Sequence, residues 1–322
     1  MVSDIFLQTN IAVIWDFDKT LIPGYMQDPL FKYYKIDGST FWREVKALPK
    51  YLRREGNEFV ARDSIYLNHI LSYVRAGKFK GLNNKLLRRL GSELEFYPGL
   101  PDFFPMVKDY VARNPRFNKY DIKVEHYIVS TGLRQMVLGS KIANHTDGIW
   151  GCEFMELLLE PGYLEQGITS TPDKEVTIKD IGYVIDNTTK TKAIFEINKG
   201  VNKLDTIDVN TYVPKEDRRI PFQNMIYIAD GPSDVPVFSL IKQNGGRTFG
   251  VYSKGKSSEF AQVNDLQKQG RIDSFGEANY ESGTQTYMWI MNAVDEIGNA
   301  IVRNKEFVLK NRLGDSPKHL DE

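Results

Sequence analysis

Only one cysteine stands in 322 residues, so Cys152 has no partner for an intramolecular disulfide, which fits a reducing compartment. Cys152 itself reads as a buried small hydrophobe. Charge of either sign is not in excess: 42 Lys and Arg balance 42 Asp and Glu. With no net basicity to draw nucleic acid or an anionic membrane surface, neither is expected as a partner. No apolar run approaches the roughly 18 residues that span a bilayer, and no basic segment leads into a signal-like apolar stretch at the N-terminus. A cytoplasmic protein is expected. Internal repeats and low-complexity tracts are also missing. The length suffices for a large core in one large domain or two.

What is present is an alternation of short apolar runs with helical periodicity. Ile11 to Trp15, Val124 to Val129, Tyr183 to Ile185 and Met225 to Ala229 have strand length, and small or acidic residues close them. Between and after them, Leu100 to Ala112, Thr191 to Ile197 and Val235 to Lys242 show helical spacing. This pattern predicts an α/β fold of Rossmann-like, doubly wound type, with a mostly parallel sheet and helices on both faces. Ligands then bind beyond the carboxyl ends of the strands. Residues 25–95 differ, with no strand-like run and with helical spacing in Phe59, Ile65, Ile70, Leu71 and Val74. They read as an inserted α-helical cap. Ser39 and Asn57 are expected helix starts, and Gly56, Gly77 and Gly91 expected breaks. The domain reading is therefore a core of residues 1–24 and 96–322 and a cap of 25–95, placed to act as a lid. A decorative helical subdomain or a dimer surface is the plainer alternative. The charged connection 198–222 has no assignment from its pattern: most such charge runs are solvated faces, and an interface or a substrate-facing role is the alternative, while Ile290, Val294, Ile297 and Ile301 predict a terminal helix on the sheet.

The first run ends in Asp16-Phe17-Asp18-Lys19-Thr20. Two carboxylates at the end of a buried strand repel unless a cation compensates, and Mg²⁺ takes one or two protein carboxylates with water and phosphate oxygens. An Asx turn with Asp18 capping a helix is the alternative. The second run ends in Ser130-Thr131-Gly132, expected at a helix start where N–H groups bind phosphate, or as an ordinary cap. Lys190 lies at an expected helix start, where a cation is unfavourable without an anion nearby; a solvated lysine is the alternative. The last run enters Asp230-Gly231-Pro232-Ser233-Asp234, where Asp234 could simply cap the next helix.

In this order the four signals resemble the haloacid dehalogenase superfamily, whose phosphatases carry Asp-x-Asp-x-Thr, a Ser or Thr, a Lys and a late acidic pair. The resemblance covers Ile11 to about Val251. Insertion of the helical segment after the first motif is similar to the phosphoserine-phosphatase-like branch. The resemblance implies Asp16 as nucleophile, Asp18 as general acid and base, and Lys190 as the neutralising cation, with Lys174 and Lys192 as competitors. It implies phosphate binding at Ser130, Thr131 and Gly132, with Thr20 bracing the first loop. Asp234 would orient metal-bound water or the lysine. Mg²⁺ would be held by Asp16, Asp230 and the Asp18 backbone carbonyl. Ala229 stands where many members have Gly.

The expected activity is Mg²⁺-dependent hydrolysis of a small phosphate monoester through an aspartyl phosphate. The alternatives are a phosphotransferase of the same fold and a catalytically silent binding or scaffold protein. A carbon–halogen hydrolase needs neither Asp18 nor a metal. A membrane ion pump would use the Asp directly before Lys19 and needs spans this chain lacks.

Overall fold

The computed structural model describes residues 8–159, 161–166 and 176–313. Its sheet has seven strands: β1 (Asn10–Trp15), β2 (Lys123–Leu133), β3 (Gly148–Met155), β4 (Asp180–Tyr183), β5 (Met225–Ala229), β6 (Arg247–Tyr252) and β7 (Ser274–Glu277). The order is β4-β3-β2-β1-β5-β6-β7, and every pairing is parallel except β3 with β4. The helices before β3 are α1 (Asp28–Tyr34), α2 (Gly38–Arg54), α3 (Ile65–Arg75), α4 (Asn84–Gly91), α5 (Phe103–Arg113), α6 (Pro115–Asn118) and α7 (Arg134–Gly139). Those after it are α8 (Tyr163–Gln166), α9 (Thr189–Lys199), α10 (Val235–Gln243), α11 (Ser257–Lys268) and α12 (Gln285–Leu313). No helix among the described residues is long and apolar enough to cross a membrane.

β1 lies at the centre, between β2 and β5, and its side chains feed two cores. Ile11, Val13 and Trp15 pack on one face with Phe103, Phe104, Ile290 and Val294, while Ala12 and Ile14 pack on the other with Ile194, Val237 and Phe238. A strand buried on both faces must be apolar at every position, which is why this run shows no alternation. The chain leaves β1 to build β2 and β3 on one side and later returns to build β5, β6 and β7 on the other. The crevice at the end of β1 is thus the topological switch point of the sheet.

One buried polar group sits in the first core. His126 of β2 accepts from Trp15 Nε1 at Nδ1 (3.2 Å) and pairs through Nε2 with the Phe104 carbonyl (3.2 Å), its ring stacked on Phe104 at 4.2 Å. These partners fix a neutral imidazole with the proton on Nε2. Burial, helped by the Lys108 charge, lowers its pKa from 6.5 to about 3. Between those values the unfolded chain binds the proton and the folded one does not, so stability falls as pH falls. The expected slope is ~1.4 kcal/mol per pH unit below the unfolded pKa. His126→Gln, which can accept and donate at the same two places, should be less acid-labile than wild type in urea melts between pH 6.5 and 4. Equal pH responses of the two proteins would contradict this account.

Several local expectations are corrected. Ser130, Thr131 and Gly132 do not open a helix: β2 continues through them to Leu133, after a register shift between Val129 and Leu133 that preserves pairing of Leu133 with Cys152. Helix α7 begins only at Arg134 and is six residues long. The strand hydrogen bonds and the burial of Leu133 outweigh the capping preference of Ser and Thr. Asn57 starts no helix, because α2 ends at Arg54 and α3 begins at Ile65; Phe59, counted in the helical pattern, is 91% exposed. Helix α2 is capped by Asp37, which accepts from the Ser39 and Thr40 N–H groups, two residues ahead of the expected Ser39. Gly91 is the expected break, since α4 ends there against α7, where an added Cβ would lie 2.0 Å from the Met136 carbonyl oxygen. Gly139 makes the reciprocal approach to Arg88. The run Tyr183 to Ile185 is not a strand of its own, since β4 ends at Tyr183 and is antiparallel. β3, β6 and β7 escape the sequence pattern because each carries glycine inside a short run: Gly151, Gly250 and Gly276.

The connection 198–222 is also not wholly a solvated face. Arg219 is buried and forms an ion pair with Glu125, with Tyr127 bonded to both. Lys199 Nζ donates to the Val209 and Thr211 carbonyls at 2.7 and 2.6 Å. Charged side chains here tie an irregular loop to the sheet.

Candidate active site

Asp16 follows the last residue of β1, and its N–H donates to the Ile228 carbonyl (2.9 Å), so the start of the first loop is still held by β5. The loop then turns through Lys19 at φ 58°, a left-handed conformation that non-glycine residues adopt rarely. Asp18 faces the insertion, with Oδ1 accepting the Met26 N–H at 2.9 Å; it caps no helix. Thr20 is fully buried, its hydroxyl 3.4 Å from Asp16 Oδ2 and its carbonyl accepting from Tyr280 at 2.6 Å.

Lys190 is the second residue of α9 and is 1% exposed. Its Nζ donates to Asp16 Oδ1 (2.7 Å) and to Asp234 Oδ1 (2.6 Å), so the anions that offset the unfavourable helix end come from two other loops. Asp186 accepts from the Thr188 and Thr189 N–H groups and holds the helix entry. Lys192 is 44% exposed and pairs with Glu196 at 3.6 Å, while Lys174 lies outside the described residues. Asp234 does not cap α10. Its carboxylate is taken by Lys190, by the Tyr227 hydroxyl (2.5 Å) and by the Ser233 hydroxyl (2.8 Å).

Asp230 stands at the end of β5, and one oxygen each of Asp16, Asp230 and Asp234 lie within 4.8 Å of one another. The Asp18 carboxylate is not in this cluster, because Met26 draws it toward the insertion. A cleft of about 360 Å³ opens over these loops. Asp16, Asp18, Ser130, Thr131, Gly132 and Asp230 line its floor. Thr20, Lys190 and Asp234 lie buried outside that lining. The Gly132 N–H is not free, since it donates to Ser130 Oγ at 3.0 Å.

Four carboxylates around one lysine set the electrostatics. Burial raises Asp16 to about 6, with Lys190 pulling down and Asp234 pushing up. Burial and then the Asp16 charge hold Asp18 well above the usual carboxylate range. Asp230 is pushed up to about 8 by burial, Asp16 and Asp234. Burial opposes the Lys190 charge, but Asp16 and Asp234 overcome it and raise its pKa. A divalent cation fits this donor set: hard oxygens, crowded and short of positive charge. Among the described residues no side chain donates to the Asp230 carboxylate, whereas Asp234 is already saturated by three donors. Asp16 and Asp230 are therefore the side chains suited to hold it.

Some residues of this site lie outside the sequence motifs. Tyr227 is the one with a visible signal, a hydroxyl in an otherwise apolar strand three residues before Asp230. Gln262, whose amide donates to the Asp230 carbonyl at 3.1 Å, and Tyr66, which donates to the Thr131 carbonyl at 2.7 Å, come from remote helices and carry no local pattern.

No family model matches the chain. An uncharacterized protein of Borreliella burgdorferi is 40% identical over 287 residues, which cover 88% of this chain and 96% of that one. Among solved structures, a HAD family hydrolase from Salmonella enterica serovar Typhi is 14% identical over 83% of this chain and 67% of its own, with a TM-score of 0.48. A substrate-bound phosphoserine phosphatase is 14% identical over 82% and 99%, with a TM-score of 0.42. A probable phosphoserine phosphatase from Vibrio cholerae is 13% identical over 93% and 69%, with a TM-score of 0.47.

Proposed function

We propose that the chain, which belongs to the family of the Borreliella burgdorferi protein, has the haloacid dehalogenase fold of phosphoserine-phosphatase-like type and is a Mg²⁺-dependent phosphoric monoester hydrolase. The observation that carries this reading is the ion pair of Lys190 with Asp16 (2.7 Å) at the floor of a cleft that Asp18, Ser130 and Asp230 also line. Residues distant in sequence meet there around one carboxylate.

Asp16 is the nucleophile, attacking phosphorus as the bond to the ester oxygen breaks. Lys190 keeps Asp16 ionised and fixes its direction. Asp18, whose carboxyl burial and then the Asp16 charge hold well above the usual carboxylate range, gives its proton to the departing alkoxide. In the second half it takes a proton from the water that attacks the aspartyl phosphate, and inorganic phosphate leaves. Ser130 and the Thr131 backbone hold phosphoryl oxygens, while Gly132, whose N–H is taken by Ser130 Oγ, lines the same floor. When bound by Asp16, Asp230 and the Asp18 carbonyl, Mg²⁺ supplies the positive charge that lets an anionic nucleophile meet a phosphate dianion. Asp234 positions Lys190, and Thr20 braces the loop. Residues 25–95 form the cap and the remainder the core. The close α4–α7 contact anchors the cap at one side, and the Tyr66 bond to Thr131 links it to the phosphate loop.

Purified protein with Mg²⁺ is expected to hydrolyse an aryl phosphate, and EDTA should reduce the rate by at least about 100-fold, reversed by excess Mg²⁺. Turnover that EDTA leaves unchanged would remove the metal from the proposal. Release of phosphate only onto an added alcohol would identify a phosphotransferase, and no turnover of any ester would leave a binding protein.

A further inference from the structure

The part of the cleft wall contributed by the insertion carries three rings and one charge. Tyr25, Trp42 and Tyr66 line it, with Trp42 in the middle, 5.4 Å from Tyr25 and 5.8 Å from Tyr66 between ring centroids. Asp63 is the one ionisable carboxylate of this wall. Two polar atoms that face no partner among the described residues also belong to it: Gln27 Oε1, on a side chain only 2% exposed, and Trp42 Nε1. A buried acceptor and a buried donor left unpaired beside an open cleft await groups of the bound ligand.

Cations are missing from the same wall. None of Arg43, Lys46, Arg53, Arg54, Arg62 and His69 lines the cleft. His69 is held by Glu44 at 2.8 Å, and Arg43 by the Thr40 hydroxyl at 3.0 Å. Lys19, from the core loop, is the lining cation among the described residues, and its ammonium already lies over the Tyr25 ring, 5.0 Å from the centroid. A carboxylate on the leaving group would meet Asp18 and Asp63 with no cap cation to receive it. An ammonium would meet aromatic faces that attract cations, the Gln27 acceptor and the Asp63 charge.

Resting on the phosphatase reading above, we propose that the cleft selects phosphate monoesters of cationic amino alcohols, with the ammonium group seated between the Trp42 wall, Gln27 Oε1 and Asp63. The reaction is unchanged; only the leaving alcohol is specified.

The experiment compares kcat/KM for phosphoethanolamine and phosphocholine with propyl phosphate, a neutral ester of similar size, and with O-phosphoserine, which adds a carboxylate. The cationic esters should exceed propyl phosphate by at least about tenfold, and O-phosphoserine should fall below them. Asp63→Asn and Trp42→Leu should each shrink that preference, chiefly through KM. Asp63 is exposed, so its variant is expected to fold even where Trp42→Leu does not. Hydrolysis that favours propyl phosphate or O-phosphoserine overturns the proposal and leaves the phosphatase standing. If no ester turns over, the phosphatase reading has failed, and calorimetry of free choline and ethanolamine decides this one. Saturable binding weakened by Asp63→Asn supports the cationic site, and no binding of either alcohol overturns it.

Discussion

Asp16→Asn is expected to abolish phosphate ester hydrolysis, by at least about 10⁴-fold, in a protein that keeps the wild-type fold and urea midpoint. The amide oxygen can still accept the Lys190 bond, and its loss of charge relieves rather than worsens the crowding with Asp230 and Asp234. What an amide cannot do is form the acyl phosphate. Acid quench of the wild-type enzyme during turnover should therefore find one phosphoryl group on the peptide containing Asp16, and the variant should show none. Substantial activity in folded Asp16→Asn would falsify the nucleophile assignment, whatever the fate of the metal.

Lys190→Met should lose activity as well, but by a route that also shows in stability. Methionine is of similar length and fills the buried volume, while Asp16 and Asp234 lose their shared cation at 2.7 and 2.6 Å. Removing one partner from a buried ionic cluster costs roughly 3–5 kcal/mol. The cost has a pH signature. Burial already raises Asp16 to about 6, and without Lys190 nothing pulls it back down, so folding takes up a proton there and the deficit shrinks as pH falls toward 5. Lys190→Met with Asp234→Asn removes one of the stranded charges, and the double variant should regain part of the lost stability and none of the activity. A single variant as stable as wild type at neutral pH would mean that this lysine does not hold the cluster together.

Trp15 and His126 illustrate a different limit. Each is a plain strand residue in sequence, yet together they make a fixed neutral pair inside the first core. Nothing local tells a histidine in an apolar strand whether a tryptophan on the neighbouring strand will bond to it. The same limit applies to Ser130, Thr131 and Gly132. Their composition favours a helix start, but pairing of Val129 with Trp150 before them and of Leu133 with Cys152 after them carries the strand through instead. Phe59 and Asn57 fit a helical pattern in a window, but no neighbouring surface exists to bury Phe59, and the chain there stays irregular.

By itself the sequence determined the layers of this protein and the chemistry of its first loop. Short β-branched and aromatic runs that end in acids fit buried strands with the carboxylates at the sheet's edge, and two carboxylates in such a place call for positive charge. Tertiary structure alone decided which lysine supplies it, since Lys190 and Lys192 share one helix and differ only in the face each presents. It also decided that Asp234 orients that lysine and caps nothing, and that Trp42, Gln27 and Asp63 meet over the cleft. Those choices depend on distances between segments far apart in the chain, and short-range propensity contains no information about them.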